Sequence, residues 1–188
     1  MATIAEQAID KVFEKSNHQL SPEEQARMKQ VLLKIVEEKA FFKDAFNISD
    51  KIMETCYSHA YNLFQAGKYQ EAVKIFDALK EIDFKNPRYS LATGACYHYL
   101  KDYNQAIANY YICKEIDVFN PIPSFHLYDC LMQLNQPQLA AHALAEVIAR
   151  CADDPNYQVM KEKALLEREN LIHQLKIWIE QKKINSSK

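Results

Sequence analysis

An all-α superhelix of stacked helix–turn–helix repeats is the fold class this sequence predicts, and three observations carry the prediction. GKYQEAV (Gly67–Val73) and KDYNQAI (Lys101–Ile107) share their tyrosine and alanine 34 residues apart, and NQPQLAA (Asn135–Ala141) keeps Ala140 in the same register. The chain has only two glycines, Gly67 and Gly94, and six prolines, too little punctuation for a many-stranded β protein. Apolar residues make up 48%, enough to bury a core over 188 residues.

The N-terminal helical segment spans residues 1–48. Residues 2–16 set Ile4, Ala8, Ile9, Val12 and Phe13 on one helical face. Ser21-Pro22-Glu23-Glu24 reads as a capping box: the serine accepts from the third helical amide, proline suits the first helical position, and Glu24 reaches back. That helix continues through Val31, Leu32, Ile35 and Val36. The aromatic junction FFKDAF (41–46) follows, and Asn47-Ile48-Ser49-Asp50 offers caps for the next helix.

The repeat region, 49–154, holds three units: 53–86, 87–120 and 121–154. The eighth place of each is the close-packing position between paired helices: Ala60, Gly94 and Tyr128. The twentieth is Ala72, Ala106 and Ala140, small enough to let the second helix approach the first. The twenty-fourth, Phe76, Tyr110 and Leu144, fills the space between units. Prolines open units two and three and follow unit three, each stopping a helix. This is the tetratricopeptide-repeat signature, in which each 34-residue hairpin buries its core by stacking on its neighbours. Unit three fits least well, with tyrosine at a small-residue place and Pro137 in the turn. Residues 155–184 read as a C-terminal capping helix with the apolar stripe Met160, Ala164, Leu165, Leu171, Ile172, Leu175, Trp178 and Ile179.

Chemistry of the catalytic kind is not expected. The six histidines are scattered, and no HExxH, glycine-rich phosphate loop or GxSxG occurs. Cys56 and His59 share a helical face without a group to orient them, which predicts packing roles for both. Five widely spaced cysteines without a CxxC point to reduced thiols rather than a disulfide framework or a zinc site. No catalytic residue, cofactor or metal is therefore expected. A formal charge of −2 gives no reason to expect nucleic acid. MATIAEQAID lacks the pattern of a signal peptide, and no stretch approaches a membrane span, so a cytoplasmic protein is expected.

The first helix of each unit should line the concave side. Its inward places are Tyr57, Tyr61, Phe64 and Gln65 in unit one, and Leu91, Ala95, His98 and Tyr99 in unit two. Unit three adds Ile122, Phe125, Asp129 and Met132. These twelve places carry almost no charge, and contiguous apolar surface of this kind marks a binding site. Repeats that clamp acidic chaperone C-termini need cations there; Tyr57, Tyr61, Ala92, Ile122 and His126 offer none.

The runs YSHAYNLFQAGKYQEAVKIFDAL, NPRYSLATGACYHYLKDYNQAI and FNPIPSFHLYDCLMQLNQ resemble the class II chaperones of bacterial type III secretion, the SycD/LcrH/IpgC group. The resemblance covers about residues 50–140. It rests on GKY in the first turn, GAC in unit two, and Pro121–His126 leading into Asp129-Cys130. FFKDAF departs from the glycine-rich stretch expected of the family. The resemblance implies a cytoplasmic, non-enzymatic chaperone that keeps hydrophobic translocators soluble before export. It also implies that an extended P-x-[LV]-x-x-P segment near the translocator's N-terminus lies in the groove. The family's pocket positions fall on Tyr57, Tyr61, Phe64, Tyr69, Ile82 and Tyr110, and a homodimer through the N-terminal helices is implied, without membrane insertion. The alternative is a general repeat scaffold, or a co-regulator joining other protein partners.

Overall fold

The computed structural model describes residues 21–37 and 42–186, which are helical with no strand among them. The elements are α1 (Pro22–Glu37), the short α2 (Phe42–Ala45), α3 (Asp50–Gln65), α4 (Tyr69–Ile82), α5 (Pro87–Tyr99) and α6 (Tyr103–Ile116). They continue with α7 (Ile122–Gln133), α8 (Pro137–Cys151), a 3₁₀ turn (Pro155–Tyr157) and α9 (Gln158–Ser186). Successive helices from α3 to α9 pack on one another, which is the topology of a repeat superhelix. The helix expected over residues 2–16 lies outside the described residues.

Local chemistry explains the boundaries. The Ser21 hydroxyl accepts the Glu24 amide at 3.3 Å, and Glu24 Oε2 accepts the Ser21 amide at 2.8 Å, closing the capping box. Ser49 caps α3 by accepting the Ile52 amide, and Asp102 caps α6 by accepting the Gln105 amide. The three inter-helix turns are built alike. Gly67, Lys101 and Asn135, the fifteenth place of each unit, all have positive φ, at 75°, 62° and 55°. In each, two successive amides return to the preceding helix: Gly67 to Phe64 and Lys68 to Leu63, Lys101 to His98 and Asp102 to Tyr97, Asn135 to Met132 and Gln136 to Leu131. This left-handed cap satisfies the last carbonyls of the first helix and reverses the chain within a few residues.

The spacing residues pack as their register requires. Ala72, Ala106 and Ala140 are fully buried, as are Tyr110 and Leu144, with Phe76 nearly so. Gly94 has a steric reason: a Cβ built there would stand 2.7 Å from Tyr110 Cε1.

Four expectations need correction. Pro137 is not in the turn but is the first residue of α8, where its missing N–H costs nothing. Tyr128 is only half-buried, and its hydroxyl turns outward to Glu167 of α9 at 3.4 Å. His59 is exposed and Cys56 half-buried, so a packing role fits the cysteine alone. The C-terminal stripe is not a single buried face. Ala164 and Leu171 are buried, but Leu165, Trp178 and Ile179 are 41%, 49% and 45% exposed. Leu165 stands about 100° around the helix from Ala164, which aims it away from the bundle.

Candidate functional site

The first helices α3, α5 and α7 bring most of the predicted inward residues to one concave face, where two cavities adjoin. The first, about 230 Å³, is lined by Tyr57, Tyr61, Phe64, Phe76, Arg88, Leu91, Ala92, Ala95 and His126. The second, about 410 Å³, is lined by Ala95, His98, Tyr99, Lys101, Tyr103, Tyr110, His126 and Asp129. Ala95 and His126 belong to both, so the cavities form one groove with a shared wall.

Aromatic contacts fix its shape. Tyr57 stacks on Tyr61 with centroids 6.4 Å apart and leans on Phe76 at 5.4 Å. Phe64 meets Tyr69 and Tyr99 edge-on, each at 5.4 Å, and Tyr69 stacks on Tyr99 at 4.9 Å. Tyr69 therefore braces the groove from α4 without lining either cavity. His126 lies parallel to Tyr110 at 5.1 Å, and His98 meets both rings edge-on. Burial, together with the neighbouring His98, lowers the His126 pKa to about 4, so its imidazole is neutral near pH 7. The same burial raises the pKa of Tyr110.

Five predicted residues, Gln65, Ile82, Ile122, Phe125 and Met132, fall outside the groove. Ile82 is half-buried at the end of α4 in the first hydrophobic cluster. Phe125 packs against Tyr128 under Lys163 of α9, 5.0 Å from its ring centroid. Met132 opens onto a separate cavity of about 390 Å³, shared with Pro137, Leu171 and Trp178. Ile122 lines none of these cavities.

The sequence reading missed Arg88, Lys101 and Tyr103, and assigned Phe76 only to packing. The signal for Arg88 was present: the second place of the register, which names Ile122 in unit three, names Glu54 and Arg88 in units one and two. The groove is thus not free of cations. Arg88, however, is engaged by the Glu54 carboxylate at 3.1 and 3.3 Å, which balances its charge. Lys101 enters the lining because the left-handed turn places it at the lip.

Among the described residues no cluster of three or more His, Cys, Asp or Glu could hold a metal, and no helix is long and apolar enough to cross a membrane. Burial pushes the thiols of Cys96 and Cys130 up to about 12 and that of Cys113 to about 11, which makes them unreactive as nucleophiles.

No protein-family model matches the chain. Among curated proteins it is similar to low calcium response locus protein H of Yersinia pseudotuberculosis, at 34% identity over 111 residues, covering 59% of this chain. The chain spans 66% of that protein's length and 51% of its Yersinia pestis counterpart's. Among solved structures it is similar to the Yersinia enterocolitica type III secretion chaperone SycD in complex with a peptide of the translocator YopD. There the identity is 30% and the TM-score 0.65, over 68% of this chain and 97% of that one. PcrH, from Pseudomonas aeruginosa, in complex with the chaperone-binding region of PopD gives 31% and 0.65, over 68% and 96%.

Proposed function

This chain belongs to the class II translocator chaperones of type III secretion, and from that premise we propose that it holds a hydrophobic translocator soluble and export-competent in the bacterial cytoplasm. The cargo's extended N-terminal segment, of the form P-x-[LV]-x-x-P, lies in the concave groove. One observation carries the reading: the aromatic first cavity, about 230 Å³ and walled by Tyr57, Tyr61, Phe64 and Leu91, has room for an aliphatic side chain of the cargo. Tyrosines suit such a groove because each offers broad apolar contact and a hydroxyl for the ligand backbone. The reading extends to the other groove residues: Tyr99 and Tyr110 set its walls, Tyr69 braces them from α4, and Ala95 keeps it open. It also takes the chain to act by binding and not as an enzyme, in keeping with the chaperones it resembles, and to form a homodimer through residues 1–48.

The test is co-purification with a translocator and anisotropy with a labelled P-x-L-x-x-P peptide. Binding in the wild type, lost in Tyr57→Ala/Tyr61→Ala while circular dichroism stays helical, supports the assignment. Unchanged binding in that double variant would sink it.

A second reading, the general scaffold, is favoured by one feature of the outer face. Phe84, Tyr111, Ile112 and Ile116 line an apolar hollow of about 580 Å³. Partners docking there would be indifferent to the double tyrosine variant.

A further inference from the structure

The two cavities of the groove differ in chemistry. The first is aromatic and aliphatic, whereas the second contains two polar groups whose hydrogen bonding is incomplete. Asp129 stands half-buried in its wall, and among the described residues no hydrogen bond or ion pair reaches the carboxylate. Burial pushes its pKa up; His98 and Lys163 act the other way, and Glu167 adds to the upward push. Tyr110, fully buried, lines the same cavity, and its hydroxyl has no hydrogen-bond partner among the described residues. A buried hydroxyl is ordinarily satisfied, so the Tyr110 phenol beside the half-buried, accessible Asp129 carboxylate in one cavity favours a ligand that engages both.

What completes them is an N–H donor. A carboxylate accepts only, and the phenol can either accept or donate. The exposed face of Tyr99 offers an apolar wall for the stem of such a side chain.

We propose that the second cavity is a polar subsite for a cargo side chain bearing N–H donors, a cation or a primary amide, with Asp129 as the acceptor and the Tyr110 hydroxyl as the second contact. This rests on the groove reading of the proposed function. Because the cavities share Ala95 and His126, that residue follows or precedes the aliphatic anchor by only a few positions, at about 3.3 Å per extended residue. Lys101 at the lip and Lys163 on α9 oppose a full cation but not a neutral amide.

The experiment uses the full chain and labelled peptides containing P-x-L-x-x-P in an alanine-serine background. Lysine, glutamine, norleucine or glutamate is placed in turn at each position within four residues of the leucine. At one position lysine or glutamine should bind about tenfold more tightly than norleucine, with glutamate weakest. The better of the two identifies cation or amide. Asp129→Leu should abolish that preference, and Tyr110→Phe should reduce it a few-fold. Asp129→Asn, which keeps the shape, should weaken lysine more than glutamine. Norleucine binding as tightly as lysine and glutamine at every position overturns the subsite, as does a preference that survives both Asp129 variants. Binding that needs the leucine but ignores the varied residue overturns the subsite alone. If no peptide binds, the groove reading falls and takes the subsite with it.

Discussion

The Arg88 guanidinium lies 4.2 Å from the centroid of the Tyr57 ring while it holds Glu54 with both terminal nitrogens, at 3.1 and 3.3 Å. Glu54 and Arg88 occupy the same second place of adjacent repeats, so the stacking of the units itself brings them together. The pair clamps Tyr57, and Phe76 on α4 and Tyr89 on α5 also pack against its ring.

Arg88→Ala should therefore affect binding more than stability. Both side chains of the pair are about half exposed, so the loss in stability is under about 1 kcal/mol. Freeing the Tyr57 ring should weaken a leucine-anchored peptide roughly three- to tenfold. Thermal unfolding and fluorescence anisotropy on one preparation separate the two. A large drop in Tm with unchanged affinity would contradict the clamp.

Gly94→Ala should destabilise the protein. The added Cβ meets Tyr110 Cε1 at 2.7 Å and Cδ1 at 2.8 Å, and that ring is fully buried and stacked on His126. Overpacking of this kind costs about 1–3 kcal/mol, against a gain of about 1 kcal/mol in helix propensity. Urea denaturation should show a net loss, and a Tyr110→Leu background should turn the same substitution neutral or favourable. The variant also tests the groove, because a displaced Tyr110 alters the wall of the second cavity.

A charged network holds unit two to unit three. Lys114, itself buried, donates to both Glu146 oxygens at 2.9 Å, and Ser124 Oγ donates to the same carboxylate at 3.1 Å. Burial works against the Glu146 carboxylate, but the Lys114 hydrogen bond and charge outweigh it, and the pKa is lowered. Lys114→Met should cost about 2–3 kcal/mol, because it leaves a partly buried carboxylate without its cation. Adding Glu146→Gln should recover part of that loss. Chemical denaturation at pH 7 decides this: equal stability of wild type and single variant would show the pair to be inert.

Stability should also fall as the solution is acidified, with His126 as one cause. Its folded pKa of about 4 lies below the ordinary histidine value of 6.5, so between these limits the unfolded chain takes up the proton and the folded chain does not. The contribution is fully present above pH 6.5 and declines at up to about 1.4 kcal/mol per pH unit toward pH 4. Glu146, with its pKa depressed, gives a contribution that is present above the unfolded carboxylate value and lost as pH falls through the folded one. Denaturation midpoints at pH 7, 6, 5 and 4.5 should fall in the wild type. His126→Phe, which keeps the stack on Tyr110, should show a flatter profile. Parallel profiles would assign the effect to other groups.

The period of 34 and the side chains at its fixed places determined much of this molecule without any coordinates. Alanine at place twenty and a large residue at place twenty-four can be satisfied together only by stacked helical hairpins. That register also points Tyr57, Tyr61, Leu91, Ala95, His98 and Asp129 inward. Where the register is interrupted, sequence reasoning failed. Phe125 and Met132 face α9 and not a fourth repeat, because a continuous helix replaces the next hairpin and draws the end of the concave face against itself. Leu165 and Ile179 read as core because an apolar pattern does not show which flank of a helix is covered or how far along it the cover reaches. What only the tertiary structure decided are relations between repeats. These are the pairing of Arg88 with Glu54, the Tyr110–His126 stack, and a second cavity whose Tyr110 phenol lacks a partner among the described residues. Each depends on the distance between side chains more than 30 residues apart or on different helices. A one-dimensional pattern fixes the direction a residue faces, but only packing fixes what stands opposite it.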